Sequence, residues 1–421
     1  MKHIGKCLLT SLTFGILLSC TGTPKQISQK ALPPSKVALV VKDSATVHLI
    51  TENIDRKIPL GDDYLIQRRK ELGSGFFVEH DKIVTNIHCV AGVTKLRAKL
   101  VGTETFYDLE GVLASDVKND LVILKVSGKG AKPLSLSDSN DFQVGESVYA
   151  IGNPKGGAEG QIALGKIYNK RPSDGGLRLN IKFSSGNSGG PVLNSKMRVI
   201  GIAVGSSNVV KMGYAIPSNA LRELLNNLKP VESLTQWQQK NPIRAYDYYI
   251  LAQGLLSQEA TDPQNKQALN KLAIRMLDEA IKLYPEFSNA YLTRGAAQTK
   301  LGEHQKAIKN YIETIERIPD NATAHDSLGN ARLELGKYDE AVDAFNKAIE
   351  QIPYNPIFYN NRGWARYHWG KSEAEQGKRE RAKGLYQAAM DDYDKALKLS
   401  PNFPPSLGNR NLAKKALVRL K

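Results

Sequence analysis

Three short strings in this chain of 421 residues hold side chains from which an acyl-transfer site can be assembled. They are Ile83-Val84-Thr85-Asn86-Ile87-His88-Cys89-Val90, Asn119-Asp120-Leu121-Val122-Ile123-Leu124-Lys125-Val126 and Gly186-Asn187-Ser188-Gly189-Gly190-Pro191. Each alone has an ordinary reading: a hydrogen-bonded histidine at a strand end, an aspartate turn before an apolar strand, a glycine loop. Together they supply His88 as a base, Asp120 to fix its tautomer and stabilise its cation, and Ser188 as a hydroxyl that becomes nucleophilic once its proton is taken. The glycines fit the same chemistry. A carbonyl oxygen turning into an oxyanion needs converging backbone N–H groups, and residues without Cβ permit the tight turn; the N–H groups of Gly186 and Ser188 are the natural pair. The order His, Asp, Ser also separates this set from triads built in other orders.

Neighbouring residues compete for these roles. Asp116, in Ser115-Asp116-Val117, is the rival for the carboxylate, but Asp120 directly precedes the apolar strand that would fix its orientation. His80, in Glu79-His80-Asp81, reads as a turn residue. Cys89 follows the base, so on a strand its side chain points to the opposite face, and a small buried thiol is expected.

The elements that must position these groups are short. From about residue 37 to residue 228 the chain runs as brief apolar or alternating stretches separated by Gly, Asn and Asp, among them 75–78, 82–90, 121–126, 147–151, 177–183 and 199–204. That pattern predicts an all-β barrel or sandwich. Ala220, Leu221, Leu224, Leu225 and Leu228 recur at helical spacing behind Pro217-Ser218, so a helix closes the domain.

Beyond Arg244 the composition shifts to helix formers, and Gly295, Gly329 and Gly363 recur 34 residues apart. The same register aligns Ala307 with Ala341, Tyr311 with Phe345 and Pro319 with Pro353; Ala389, Tyr393, Ala396 and Pro401 keep the offsets after an insertion of 14 residues. An earlier unit ends at Ala273, Leu277, Ala280 and Pro285. This period resembles the tetratricopeptide repeat, in which each helix pair buries its face only by stacking on its neighbours. Four repeats and a C-terminal capping helix follow. By that resemblance the concave groove carries Asn330, Asn360, Trp364 and Tyr367 and takes a peptide or protein partner. The basic run 378–383 reads as a solvated helix face, with docking to an acidic lipid or protein as the sharper alternative.

Residues 37–228 resemble a chymotrypsin-fold serine protease, nearest to the bacterial HtrA/Deg type. Beyond the three strings, the resemblance rests on Gly73-Ser74-Gly75-Phe76-Phe77, Gly152-Asn153-Pro154 and Gly213-Tyr214-Ala215-Ile216-Pro217-Ser218. It implies two β-barrels with the site between them, His88 as general base, Asp120 as its orienter and Ser188 as nucleophile, with no cofactor or metal. It also implies that the residue six before the nucleophile, Lys182, helps floor the specificity pocket, which would favour an acidic side chain if its ammonium faces inward. Helical repeats stand where Deg-type proteases commonly carry a PDZ domain, and Lys155 follows Asn153-Pro154 where an aromatic is common.

Ahead of the folded part, Lys2 and Lys6 precede an uncharged run from Leu8 to Leu18, long enough for a signal-peptide core and too short to span a bilayer. Leu17-Leu18-Ser19-Cys20 resembles the lipobox of bacterial lipoproteins, which implies acylation of Cys20 and leaves Cys89 as the one remaining thiol. The expected organisation is a signal peptide over 1–19, lipidated Cys20 and tether over 20–36, the protease-like domain over 37–230, a linker over 231–244, repeats over 245–401 and the cap over 402–421. Lys and Arg outnumber Asp and Glu by 58 to 42, but the basic residues are spread among acidic ones rather than gathered into a stripe, which argues against nucleic-acid binding. The expectation is a multidomain, lipid-anchored serine endopeptidase of the bacterial cell envelope, an all-β double barrel followed by an all-α superhelix that recruits substrate or partner. The alternative is a non-catalytic or chaperone-like scaffold that binds proteins through the repeats.

Overall fold

The computed structural model describes residues 45–60, 63–93, 95–153, 160–171, 173, 175–181, 183, 186–207, 212–258 and 262–420. Cys20, Lys155 and Lys182 lie outside them. In the β half, β1 (Thr46–Leu60), β2 (Asp63–Glu79) and β3 (Lys82–Asn86) lead into a four-residue helix α1 (Ile87–Val90), followed by β4 (Arg97–Leu100), β5 (Phe106–Asp116) and β6 (Leu121–Val126). A second set comprises β7 (Ser147–Gly152), β8 (Gln161–Lys170), β9 (Leu177–Leu179), β10 (Pro191–Leu193), β11 (Val199–Ser207) and β12 (Met212–Pro217), closed by α2 (Ser218–Leu225). Each set of six forms a closed antiparallel barrel, in the orders β1-β2-β3-β6-β5-β4 and β10-β11-β12-β9-β8-β7. Residues 54–60 pair with residues 63–69, which include Arg68 and Arg69, along the far part of β1 and β2.

The nearly unbroken apolar run of β6 has a physical cause. Successive side chains of a strand point to opposite faces, so a run without polar alternation must be buried on both. Val122, Leu124 and Val126 enter the interior of the first barrel. Leu121 and Ile123 enter a different core, with Phe76 and Val84 on their own side and Tyr149, Ile151, Leu193 and Ile216 from the second barrel. That second core joins the barrels.

The helical half begins earlier than its repeats suggest. Residues 231–244, expected as a linker, carry helix: α3 (Leu234–Gln238) buries Trp237 completely, and α4 (Asn241–Ser257), which buries Ile243, follows within three residues. Trp237, Ile243 and Tyr246 share one continuous apolar core with Val90, Val122 and Leu124 of the first barrel. Then come α5 (Pro263–Leu283), α6 (Ser288–Lys300), α7 (His304–Arg317), α8 (Ala322–Glu334), α9 (Tyr338–Gln351), α10 (Pro356–Glu375), α11 (Arg379–Leu399) and α12 (Pro404–Arg419). They make antiparallel pairs from α4–α5 to α10–α11, with α12 as a single helix at the end.

The repeat glycines mark close approaches. A Cβ at Gly295, Gly329 or Gly363 would stand 2.7, 2.7 or 2.8 Å from the ring of Tyr311, Phe345 or Tyr393. The small and aromatic landmarks of the sequence are therefore two sides of one contact. The 14 inserted residues lengthen both helices of the last pair, α10 to 20 residues against 13 in α8 and α11 to 21 against 14 in α9. Gly370 then meets Tyr386 one contact further along the pair, as Gly363 meets Tyr393.

The middle repeats also touch the second barrel. The buried guanidinium of Arg178 on β9 donates to the carbonyls of Asp320 (2.8 Å) and Gln351 (3.2 Å), and Ser173 Oγ donates to Asp320 Oδ1 (2.5 Å). Met212 packs with Ala322, Ile352 and Phe358. The array is thus fastened to one barrel by its first helices and to the other by the α7–α8 and α9–α10 turns.

Gly329→Ala and Gly384→Ala should have opposite signs in thermal melts. Overpacking against Phe345 costs about 1–3 kcal/mol, more than the ~1 kcal/mol that alanine gains in a helix. At Gly384, where an added Cβ meets nothing within 4 Å, only the gain remains.

Candidate active site

His88 lies on α1, and Asp120 ends the turn before β6. The β3–β6 ladder pairs Asn86 with Leu121, which brings the start of α1 against that turn. The Asp120 carbonyl accepts the Ile87 N–H (3.1 Å) and Asn86 Nδ2 (3.0 Å), while its carboxylate takes the His88 backbone N–H at Oδ1 (3.0 Å) and faces His88 Nδ1 with Oδ2 (2.5 Å). The aspartate is fixed at four points by its partner segment. Its φ of 56° is left-handed, a strained conformation for a residue with a side chain. Asp116 is engaged elsewhere, accepting Asn119 N–H (3.0 Å) and Asn119 Nδ2 (2.6 Å) to close its own turn. His80 sits in the turn between β2 and β3.

Motif strings from both barrels converge on the Ser188 turn. Ser74 N–H donates to the Ser188 carbonyl (2.8 Å), Ser74 Oγ donates to the Gly186 carbonyl (2.7 Å), and Asn153 N–H donates to Ser74 Oγ (3.0 Å). Asn153 Nδ2 reaches the Val47 carbonyl (3.3 Å), and its Oδ1 takes the Gly160 N–H (2.8 Å). Gly189, at φ +83°, admits no side chain, since a Cβ would lie 2.1 Å from the Ser74 carbonyl oxygen and 2.3 Å from Thr85 Oγ1. Ser188 Oγ donates to the Val204 carbonyl (2.7 Å). Among the described residues, the Gly186 and Ser188 N–H groups donate to no backbone carbonyl.

Cys89 departs from its expected orientation. Residues 87–90 form a helical turn, so consecutive side chains do not alternate across a strand, and Cys89 Sγ lies 3.6 Å from the Ser188 carbonyl oxygen. The thiol is buried and unbridged, as expected, but it sits beneath the serine turn. Burial pushes the His88 imidazole down, yet the Asp120 carboxylate and the Cys89 sulfur outweigh it and hold the group well above its usual pKa.

The residues expected in the repeat groove divide. Asn360 is buried, and its Oδ1 accepts Ser406 Oγ (3.1 Å) and Asn409 Nδ2 (3.2 Å) of α12. Asn330 Nδ2 bonds the carbonyl (2.9 Å) and Oδ2 (3.3 Å) of Asp326, whose carboxyl is pushed up to about 7 by burial despite the Asn361 and Asn330 amides. Trp364 and Tyr367 stay half-buried, stacked at 5.5 Å, with His368 at 4.4 Å from the Trp364 ring. In the basic run 378–383, Lys378 and Arg381 pair with Glu373 of the neighbouring α10 and Lys383 with Glu380 of α11, which fits the solvated face.

Residues 73–202 match the family model of the trypsin-like peptidase domain. Residues 286–352 and 364–396 match tetratricopeptide repeat models. Among curated proteins, the chain is 35% identical over 189 residues to the probable periplasmic serine endoprotease DegP-like of Rickettsia prowazekii (strain Madrid E), a match covering 41% of this chain and 36% of the relative. It is 36% identical over 162 residues to the serine protease Do-like HtrB of Bacillus subtilis (strain 168), covering 35% of each. The chain thus spans little more than a third of these relatives. Among solved structures, it is similar to the HtrA-type protease AlgW with decapeptide (24% identity, TM-score 0.37, 44% of this chain and 65% of that one). Deg5 gives 28% identity and a TM-score of 0.36, covering 46% of this chain and 94% of that one.

A raised folded-state pKa means that His88 adds stability that is fully present below its unfolded value and is lost as pH rises through the folded midpoint. The expected NMR titration of the His88 ring has its midpoint above ~6.5, the ordinary imidazole value, and Asp120→Asn moves it down. A wild-type midpoint at or below that value would contradict the pairing.

Proposed function

We propose that this chain is an exported serine endopeptidase that hydrolyses proteins through an acyl-enzyme on Ser188, with His88 as general base and Asp120 as its orienter. The observation that carries the reading is the His88–Asp120 pair, Nδ1 facing Oδ2 at 2.5 Å, beside a serine turn held by bonds from the other barrel. The printed names of the relatives, serine endoprotease and serine protease, agree with it.

The residues divide the work as follows. Asp120 holds the proton on Nδ1, so that the other ring nitrogen is the one that takes the serine proton, and stabilises the imidazolium that forms. The Ser188 hydroxyl proton swings from the Val204 carbonyl to that nitrogen as Oγ attacks the substrate carbonyl carbon. The developing oxyanion is met by the N–H groups of Gly186 and Ser188. His88 then protonates the leaving amine, and a water molecule activated by the same imidazole hydrolyses the ester. No metal or organic cofactor takes part in these steps.

The repeats present a groove to a protein partner or substrate, and their half-buried cluster of Trp364, Tyr367 and His368 is the surface for it. The leader and the periplasmic naming of the relatives favour export to the cell envelope, with Cys20 as the acylated anchor.

Purified full chain incubated with an unfolded protein substrate should cleave it, and Ser188→Ala and His88→Ala should each lower turnover on the order of 10⁶-fold. Trp364→Ala should weaken capture of protein substrate while leaving cleavage of a short peptide unchanged. Equal cleavage by wild type and Ser188→Ala would remove the proposal.

A further inference from the structure

We infer that α3 and α4, which lie outside both barrels, hold the His88–Asp120 pair in register, with Gln238 and Tyr246 as positioning residues. The inference rests on the endopeptidase reading for its consequence in turnover, but not for its geometry.

Helix α1 is only four residues long. A single turn has almost no stability of its own, so the direction of His88 depends on what grips the turn from outside. The grip comes from Gln238. Its Oε1 accepts the Gly92 N–H (2.8 Å), and its Nε2 donates to the carbonyls of Val90 (2.8 Å) and Val93 (3.0 Å). One primary amide therefore satisfies three backbone groups where α1 ends and its last carbonyls lose intrahelical partners. No apolar side chain of the same size can do this.

Asp120 is served by the next helix. The Tyr246 hydroxyl donates to the Val117 carbonyl (3.0 Å), the same oxygen that accepts the Asp120 N–H (3.4 Å) in the turn that sets the strained φ of Asp120. Trp237 Nε1 donates to Ser115 Oγ (3.1 Å), one residue before Asp116 at the end of β5. Trp237 and Tyr246 are 0% and 4% exposed, so these bonds are sheltered from water. Burial and the nearby Asp120 carboxylate raise the Tyr246 phenol well above its usual pKa, which keeps it a proton donor.

The pair of elements does not stand alone. Tyr246 packs its ring on Phe287 at 4.5 Å, at the junction of α5 and α6, and Tyr249 meets the same ring at 4.9 Å. The placement of α4 is thereby tied to the stacking of the first repeats. The titratable groups around the pair include Cys89 on α1, Asp116 at the end of β5, Tyr246 and Tyr249 on α4, and Tyr284 just beyond α5.

The test uses the full chain with Gln238→Leu, which keeps the volume and removes all three bonds, and Tyr246→Phe, which removes only the hydroxyl. Gly329→Ala, destabilising but distant from the pair, controls for loss of stability. Two readouts are taken: the His88 ring titration, assigned by its disappearance in His88→Ala, and kcat and KM on a short peptide. A displaced base costs on the order of 10- to 100-fold in rate. The expected result is a kcat lowered by that factor with KM within about two-fold, and a His88 midpoint moved down, in both variants but not in Gly329→Ala. An unmoved midpoint in the folded Gln238→Leu and Tyr246→Phe proteins would overturn the inference. If wild type shows no peptidase activity, the endopeptidase reading fails, and the titration midpoint by itself still decides the role of Gln238 and Tyr246.

Discussion

Ser74 is the staple on which the chemistry of this chain depends. It belongs to the first barrel, yet its N–H and hydroxyl hold the carbonyls of Ser188 and Gly186 in the second, and its oxygen accepts the Asn153 N–H in turn. Buried polar groups of this kind have to be matched, because a donor or acceptor left without a partner costs about 1–3 kcal/mol. The barrels therefore have one favourable way to meet at this point. That arrangement sets the serine turn beside the His88 turn. The apolar core of Phe76, Leu121 and Ile123 against Tyr149 and Ile216 presses the two together, but apolar packing is non-directional. Direction comes from the staple.

The strain at Asp120 and the empty space demanded at Gly189 follow from the same closeness. A carboxylate that must accept from both the backbone and the ring of His88 is pulled into a left-handed turn, and two hydrogen bonds from residues 86 and 87 to its own carbonyl hold it there. A glycine is required where the serine turn passes within contact distance of the Ser74 carbonyl. The two features lie on different barrels and serve one geometry.

Much of this was legible in the sequence. The order of His88, Asp120 and Ser188, the closing helix after Pro217 and the 34-residue period follow from spacing and residue type, whereas the two barrels came only from the resemblance that the motif strings carry. The sequence favoured Asp120 over Asp116, since an aspartate directly ahead of a buried strand has its backbone fixed, and Asp120 is the carboxylate that faces His88 Nδ1. Two readings went astray for local reasons. The run 82–90 looks like one strand, and only the tertiary pairing of Asn86 with Leu121 ends it and lets 87–90 coil, which swings Cys89 under the serine turn. The stretch 231–244 has the polar composition of a linker, because Gln238 acts through a side-chain amide that carries no hydrophobic signal. Hydrogen bonds to backbone groups more than a hundred residues away leave no periodic trace. In the repeats Trp364 and Tyr367 are half-buried, whereas Asn360 is taken up by the capping helix, a contact that spacing within one repeat cannot reveal.

The helical array is fastened to both barrels, by Trp237 and Tyr246 on one side and by the contacts of Arg178 on the other. The central claim is that Ser188 is an activated nucleophile. The most direct measurement is to treat the folded full chain with a serine-reactive fluorophosphonate and locate the adduct by peptide mapping. The account predicts one phosphonyl group, on Ser188, and none when His88 is replaced by alanine. An adduct on another residue, or none on folded wild-type protein, would contradict it.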